Sequence, residues 1–235
     1  MRYQGGKSRI APALAQIISA TQGGDTFVSL FCGSCSVESK VTGFSRVILN
    51  DKHFYLTSLL KGVQNGYELP EHITEEQYKY IRENKDIDPV LTGFVGFGCS
   101  FGGKWFGGYA RNKTDTNYAL QSKKSLLKDM ATLMNAEIIC GDYRDLAIPQ
   151  GAVIYADPPY NNTTGYGGGK FDTEEFWMYM RLLAETGHTV FISVLEAPKD
   201  FVCVWEKVFT RTLDRNKQNQ FKVTEKLFTY SYPNK

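Results

Sequence analysis

The sequence has no apolar run approaching the roughly 18 residues that a membrane-spanning helix needs. Its basic start, Met1 to Ala11 with Arg2, Lys7 and Arg9, is not followed by an apolar stretch. Neither a membrane protein nor a secreted one is expected, and the cytoplasm is the expected compartment. Histidine is scarce: His53, His72 and His188 are the three, and they do not stand at metal-ligand spacing. The five cysteines, Cys32, Cys35, Cys99, Cys140 and Cys203, are odd in number and widely spread, which argues against a disulfide framework. Cys32 and Cys35 form a C-x-x-C, yet no second ligand pair and no thioredoxin-like setting accompany it, so neither redox chemistry nor zinc is expected there. An excess of one charge is missing too. Lys and Arg number 27 against 25 Asp and Glu, a net +2 that by itself points to no polyanionic partner.

What is present is a core-forming chain of 235 residues, 42% hydrophobic and 22% charged, enough for one large domain or one domain carrying an insertion. Short, continuous, β-rich apolar runs read as strands buried on both faces: Thr26 to Phe31, Arg46 to Asn50, Glu137 to Cys140, Ala152 to Ala156 and Thr189 to Val194. Helical patterns lie between them, at Ser8 to Ser19 with Ser8 as cap, Cys35 to Thr42 and Glu174 to Glu185. Two later strands are expected at Val202 to Thr212 and Lys222 to Tyr232. Strands alternating with helices predict an α/β fold, a Rossmann-like, doubly wound and mostly parallel sheet.

One interval breaks the rhythm. From Asp51 to Glu137 is 86 positions, far more than a crossover between parallel strands requires. The excess predicts an inserted, mainly helical subdomain over 55–135, with helices at Glu75 to Glu83 and Leu120 to Met134. The catalytic domain would then comprise 1–54 and 136–235. Between Cys99 and Lys128 six cations face one anion, a local +5. Within that stretch Ser100 to Arg111 interleaves glycine, aromatic rings and cations, a composition suited to bases and phosphates. Ser100, Lys104, Trp105, Tyr109, Arg111 and Lys113 are the candidate DNA contacts; a solvated face is the plain alternative. The loop Asn161 to Lys170, rich in Asn, Thr and Gly, is expected to be mobile and to close over the site or touch DNA.

The motif carrying most chemistry is Asp157-Pro158-Pro159-Tyr160, directly after a buried strand and so at the carboxyl end of the sheet, where open α/β sheets bind ligands. Two prolines remove two N–H donors and stiffen the backbone. Asp157 and the Pro158 carbonyl could then each accept one N–H of an exocyclic amine, while Tyr160 offers a face for a base. A small-residue turn, Phe31-Cys32-Gly33-Ser34-Cys35, follows the first strand and lets a ligand lie against backbone. It is neither a P-loop nor G-x-G-x-x-G, so a nicotinamide cofactor is disfavoured. Asp51 ends the second strand, where an acid commonly accepts from ribose hydroxyls. Asp142 follows the third strand in Gly141-Asp142-Tyr143 and could accept from an adenine amine. Gly5-Gly6-Lys7 could bring an ammonium to a ligand carboxylate.

In this order, Tyr3-x-Gly-Gly-Lys7, the turn at Phe31, Asp51, Gly-Asp142 and Asp157-Pro-Pro-Tyr160 resemble the Dam-like (D12 class) DNA adenine-N6 methyltransferases, over nearly the whole chain. The resemblance implies a site-specific methyl transfer from S-adenosylmethionine to the N6 amine of adenine in duplex DNA, with the base flipped out and no metal. It implies cofactor contacts from Tyr3, Gly6, Lys7, Phe31, Cys32, Gly33, Ser34, Asp51, Asp142, Tyr143 and Asp157, with Lys7 on the methionine carboxylate. The catalytic group would be Asp157, Pro158, Pro159 and Tyr160. A monomer, or a dimer on DNA, is the expected state. Alternatives are another exocyclic amine (cytosine N4, or guanine N2 in RNA) and a DNA-binding module without turnover. One departure stands out: where the family turn is F-x-G-x-G, the second glycine is Cys35.

Overall fold

The computed structural model describes residues 1–21, 24–159, 171–212 and 220–231. Seven strands form one sheet: β1 (Thr26–Ser29), β2 (Arg46–Asp51), β3 (Glu137–Cys140), β4 (Val153–Ala156), β5 (Thr189–Val194), β6 (Phe201–Thr212) and β7 (Gln220–Tyr230). Their order is β3-β2-β1-β4-β5-β7-β6. The first five run parallel, while β7 is antiparallel to both of its neighbours. The doubly wound, mostly parallel sheet expected from the sequence is therefore present. The strand order reverses between β1 and β4, and the crevice at their carboxyl ends is the natural ligand position.

The two faces are covered by separate helices. Helix α1 (Ala11–Ser19) lays Ala11, Leu14 and Ile18 against Phe27, Val153, Tyr155, Phe191 and Leu227. Helix α6 (Thr173–Glu185) lays Phe176, Met180 and Leu183 against Val28, Ile154, Val190 and Ile192 on the other face. The central strands are buried on both sides, which is why their sequences are continuous rather than alternating.

Two expected helices differ from the structure. Ser8 does not cap α1; the N-cap is Ile10, and residues 8–10 hang in a turn from the Lys7 carbonyl, which accepts the amides of Ile10 and Ala11 at 2.9 and 2.8 Å. Lys7 is itself buried, so the turn is pinned before the helix can begin. The stretch Cys35 to Thr42 forms only a three-residue 3-10 turn, Glu38–Lys40. Cys35 has a left-handed φ of 57°, which a right-handed helix cannot contain, and Val41 is already extended on its way to β2.

Between β2 and β3 the chain is mainly helical: α2 (Phe54–Gln64), α3 (Glu75–Glu83), α4 (Pro89–Gly93) running into a π turn at Phe94–Gly98, a 3-10 turn at Phe101–Gly103, and α5 (Tyr118–Met130). Helix α5 starts two residues before the expected Leu120, capped by the Asn117 side chain on Leu120 N, and stops at Met130. Helix α2 packs Leu56, Leu59, Leu60 and Val63 into the same cluster as Leu49 of β2 and Ile138 of β3. It is thus also the crossover helix between those strands. No helix among the described residues is long and apolar enough to cross a membrane.

Candidate active site

The chain leaving β1 stays tied to both neighbouring strands. Leu30 N donates to Tyr155 O at 3.0 Å and Cys32 N to Asn50 O at 2.8 Å. It then turns through Gly33, whose φ of 50° suits glycine. A β-carbon there would lie 3.1 Å from the Tyr3 ring, so Gly33 is also a point of close approach. Asp51, at the end of β2, accepts Gly33 N on Oδ2 at 3.0 Å and His53 N on Oδ1 at 2.9 Å. Burial pushes its carboxyl up, and those two amides pull it back. Each carboxylate oxygen has about two acceptor sites, so each oxygen keeps capacity for one further donor.

The N-terminal segment roofs this turn. Gly6 N donates to Tyr3 O at 3.0 Å, and a β-carbon on Gly6 would come within 3.9 Å of Ser34 Oγ. On its other side Gln4 N donates to Gly103 O at 3.0 Å. Gly103 has φ of 68°, and a β-carbon there would fall 2.5 Å from Tyr3 N. Tyr3 is therefore clasped between the turn after β1 and the glycine-rich loop of the long β2–β3 connection.

Asp157 follows β4 and forms an ion pair with Lys7, Oδ1 to Nζ at 3.2 Å. Lys7 Nζ also lies 3.3 Å from Oε2 of Glu225 on β7. Burial pushes the Asp157 carboxyl up to about 6, with Lys7 drawing it down and Glu225 raising it further. Pro158 is buried and Pro159 exposed; Tyr160 and the loop Asn161 to Lys170 lie outside the described residues. A second buried acid, Glu38, accepts the Ser29 hydroxyl at 2.7 Å and is raised to about 7, first by burial and further by Asp157.

Phe31 and Tyr143 bring their rings to 5.0 Å, joined by Phe171 and Phe176. Asp142 caps the 3-10 turn that holds Tyr143. Its Oδ1 accepts Arg144 N and Nε at 3.1 and 2.7 Å, and its Oδ2 accepts Arg144 Nη2 and Lys52 Nζ at 2.7 and 3.3 Å. Arg144 holds this carboxyl far below the ordinary range. Four bonds fill both oxygens, so a cofactor amine could reach Asp142 only by displacing Arg144 or Lys52.

The expected DNA contacts are divided. Lys104, Arg111 and Lys113 are exposed, Arg111 pairing with Glu75 at 3.0 Å. Ser100 does not belong with them. It is fully buried, donates to Gly96 O at 2.7 Å and shares a 2.8 Å bond with the Tyr78 hydroxyl. The Tyr109 hydroxyl is spent on Ile73 O at 2.7 Å. Trp105 is half-buried, stacked on Tyr55 at 5.3 Å and edge-on to His53 at 4.4 Å. Trp105 and Tyr109 thus pack into the loop, while Phe101 and the cations lie on its surface.

Glu225 and Glu38 escaped the sequence reading. Glu225 carried a signal: in Val223-Thr224-Glu225-Lys226-Leu227 it takes an inward position of an alternating strand, where an acid needs a buried partner. Glu38 carries none, because the pattern around it predicts a helix where the chain forms a 3-10 turn. Both thiols of Cys32-x-x-Cys35 are free and buried, and Cys32 is pushed well up by its hydrogen bond to Cys35 and by burial. Among the described residues no group of His, Cys, Asp or Glu could hold a metal ion.

No curated protein matches the sequence. Solved structures similar to it include the rRNA methyltransferase aviRa from Streptomyces viridochromogenes, 13% identical, with 97% of this chain and 86% of that one covered and a TM-score of 0.45. Another is a precorrin-6y C5,15-methyltransferase from Geobacter metallireducens, 10% identical, covering 93% and 86%, TM-score 0.38. Likenesses this distant bear on neither substrate nor chemistry. The family match is of another order: it takes in residues 3–90 and 103–198, from the Tyr3 turn through Asp157 and beyond β5. With most of its length matched, the chain belongs to the D12 class of N6 adenine-specific DNA methyltransferases.

Proposed function

We propose that this methyltransferase acts on the N6 amine of adenine in DNA, taking the methyl group from S-adenosylmethionine. The observation that carries the reading is Asp157: an acid at the switch point of the sheet, fixed by Lys7 and followed by two prolines. An adenine amine is a weak nucleophile because its lone pair is delocalised into the ring. Accepting its two N–H groups on Asp157 and on the Pro158 carbonyl would turn that lone pair outward. The glycine turn, the Asp51 carboxylate and the Phe31–Tyr143 ring pair fit the methionine, ribose and adenine portions of the cofactor. When bound, the cofactor supplies a sulfonium methyl whose C–S bond breaks as the N–C bond forms, sulfur keeping the electron pair. The site's own contribution is then alignment, and the proton shed by the amine passes to solvent.

A base inside a duplex cannot reach Asp157, so the adenine would be flipped out. Residues 55–135 would form the target-recognition part, with Lys104, Arg111 and Lys113 on phosphates. A duplex DNA assay with tritiated S-adenosylmethionine, followed by nucleoside mass spectrometry, tests the reading. N6-methyldeoxyadenosine is expected, and label on another base or only on RNA would refute the adenine assignment. Asp157→Ala should lower transfer by at least about 100-fold while leaving cofactor binding within a few-fold; near-normal turnover would remove Asp157 from the chemistry.

A further inference from the structure

Lys7 is 6% exposed and stands between two carboxylates from distant parts of the chain. Asp157 reaches it from the end of β4 and Glu225 from the middle of β7. A buried ammonium needs a partner, and Asp157 alone would meet that need. The second carboxylate is unexplained by it, because a buried acid carries its own desolvation cost. Glu225 is 7% exposed and sits inward between Val223 and Leu227. Its cross-strand neighbour on β6 is Lys207, which is exposed.

We propose that Glu225 is a positioning residue for methyl transfer: it anchors the Lys7 ammonium beside Asp157, so that carboxylate, ammonium and carboxylate form one bridge across the mouth of the sheet. The proposal rests on the role given to Asp157 above. Lys7 belongs to the segment that also carries Tyr3 over the cofactor turn, so fixing Lys7 fixes the roof. The bridge also shares one positive charge between two acids. Among the described residues, the charged groups facing Asp157 are then Lys7 from the segment before α1, Glu225 from β7, and Glu38 from the turn after β1. Removing the Glu225 charge takes one of the two described carboxylates away from Lys7, so Asp157 ionises more easily while its ammonium partner loses an anchor.

The test is Glu225→Gln, read in two ways. With aspartate labelled at the γ-carboxyl, NMR follows the Asp157 titration in the protein without substrate; the midpoint should fall by about half a pH unit or more. In the transfer assay the acid limb of the kcat profile should move the same way, with kcat at its plateau several-fold lower and KM for S-adenosylmethionine within about twofold. A carboxyl midpoint and a pH profile both superimposable on the wild type would overturn the proposal. Glu225→Asp keeps the charge one methylene short of Lys7. Should the glutamine variant fail to fold, a lowered kcat at unchanged melting temperature in the aspartate variant carries the proposal, and an unchanged kcat refutes it. The titration needs no substrate. A moved midpoint in a protein that methylates no DNA would uphold the bridge and overturn the adenine reading; an unmoved midpoint with normal DNA methylation would do the reverse.

Discussion

Glu38 offers a sharp test of the electrostatics beneath the site. It is 3% exposed, and its carboxyl stands at about 7 rather than 4.5. A carboxyl raised in the folded protein favours folding fully below its ordinary value and loses that advantage as pH rises through 7. At about 1.4 kcal/mol per pH unit, keeping Glu38 ionised costs on the order of 3 kcal/mol at pH 8 and under about 1 kcal/mol at pH 5. Glu38→Gln imitates the protonated acid and can still accept the Ser29 hydroxyl. Its amide must find a place among groups arranged for a carboxyl, which takes back about 1 kcal/mol. The variant should therefore be more stable than the wild type by about 2 kcal/mol at pH 8, roughly 4–8 °C in melting temperature for a chain of this size, and no more stable at pH 5. Thermal denaturation of both proteins at the two pH values decides it. An equal shift at pH 5 and pH 8, or a loss at pH 8, would show that Glu38 is not held as a buried acid in tension with ionisation.

Two further predictions concern the turn and the surface. Left-handed Cys35 favours glycine over any residue with a β-carbon, by about 1 kcal/mol, so Cys35→Gly should be more stable than Cys35→Ala, the reverse of the usual order; denaturant melts giving alanine the advantage would refute the strain. Replacing Lys104 and Arg111 together by alanine should weaken duplex binding and flatten the dependence of log affinity on log salt by up to about 2; an unchanged slope would take this loop off the phosphates.

The sheet was legible because burial on both faces leaves an unmistakable run of apolar residues. β3 and β5 fall on the expected residues without change, and β1, β2 and β4 within two at either end. Around the turn after β1 the sequence was informative where strand ends come together: Gly33 N donates to Asp51 at the end of β2, and Asp157 follows the end of β4. What sequence could not show is which side chains meet from afar. Lys7 was expected to face a ligand carboxylate and stands against two of the protein's own. Ser100 was expected among DNA contacts because glycines, aromatic rings and cations follow it, yet after the π turn it is fully buried and bonded to Tyr78. Asp142 looked free, and Arg144 two residues later closes on it; local pairing of that kind is set by rotamers that no spacing rule reveals.

The Lys7–Glu225 contact spans 218 positions of a 235-residue chain. Closing so long a loop costs chain entropy, though by the slow logarithmic growth of that cost only a few tenths of a kcal/mol more than closing Lys7 onto Asp157. The ion pair thus joins the segment before α1 to β7, the strand that lies between β5 and β6. If Glu225 positions Lys7 as proposed, a chain lacking β7 keeps the Asp157-Pro-Pro motif and the glycine turn but not the carboxylate that anchors Lys7 beside Asp157.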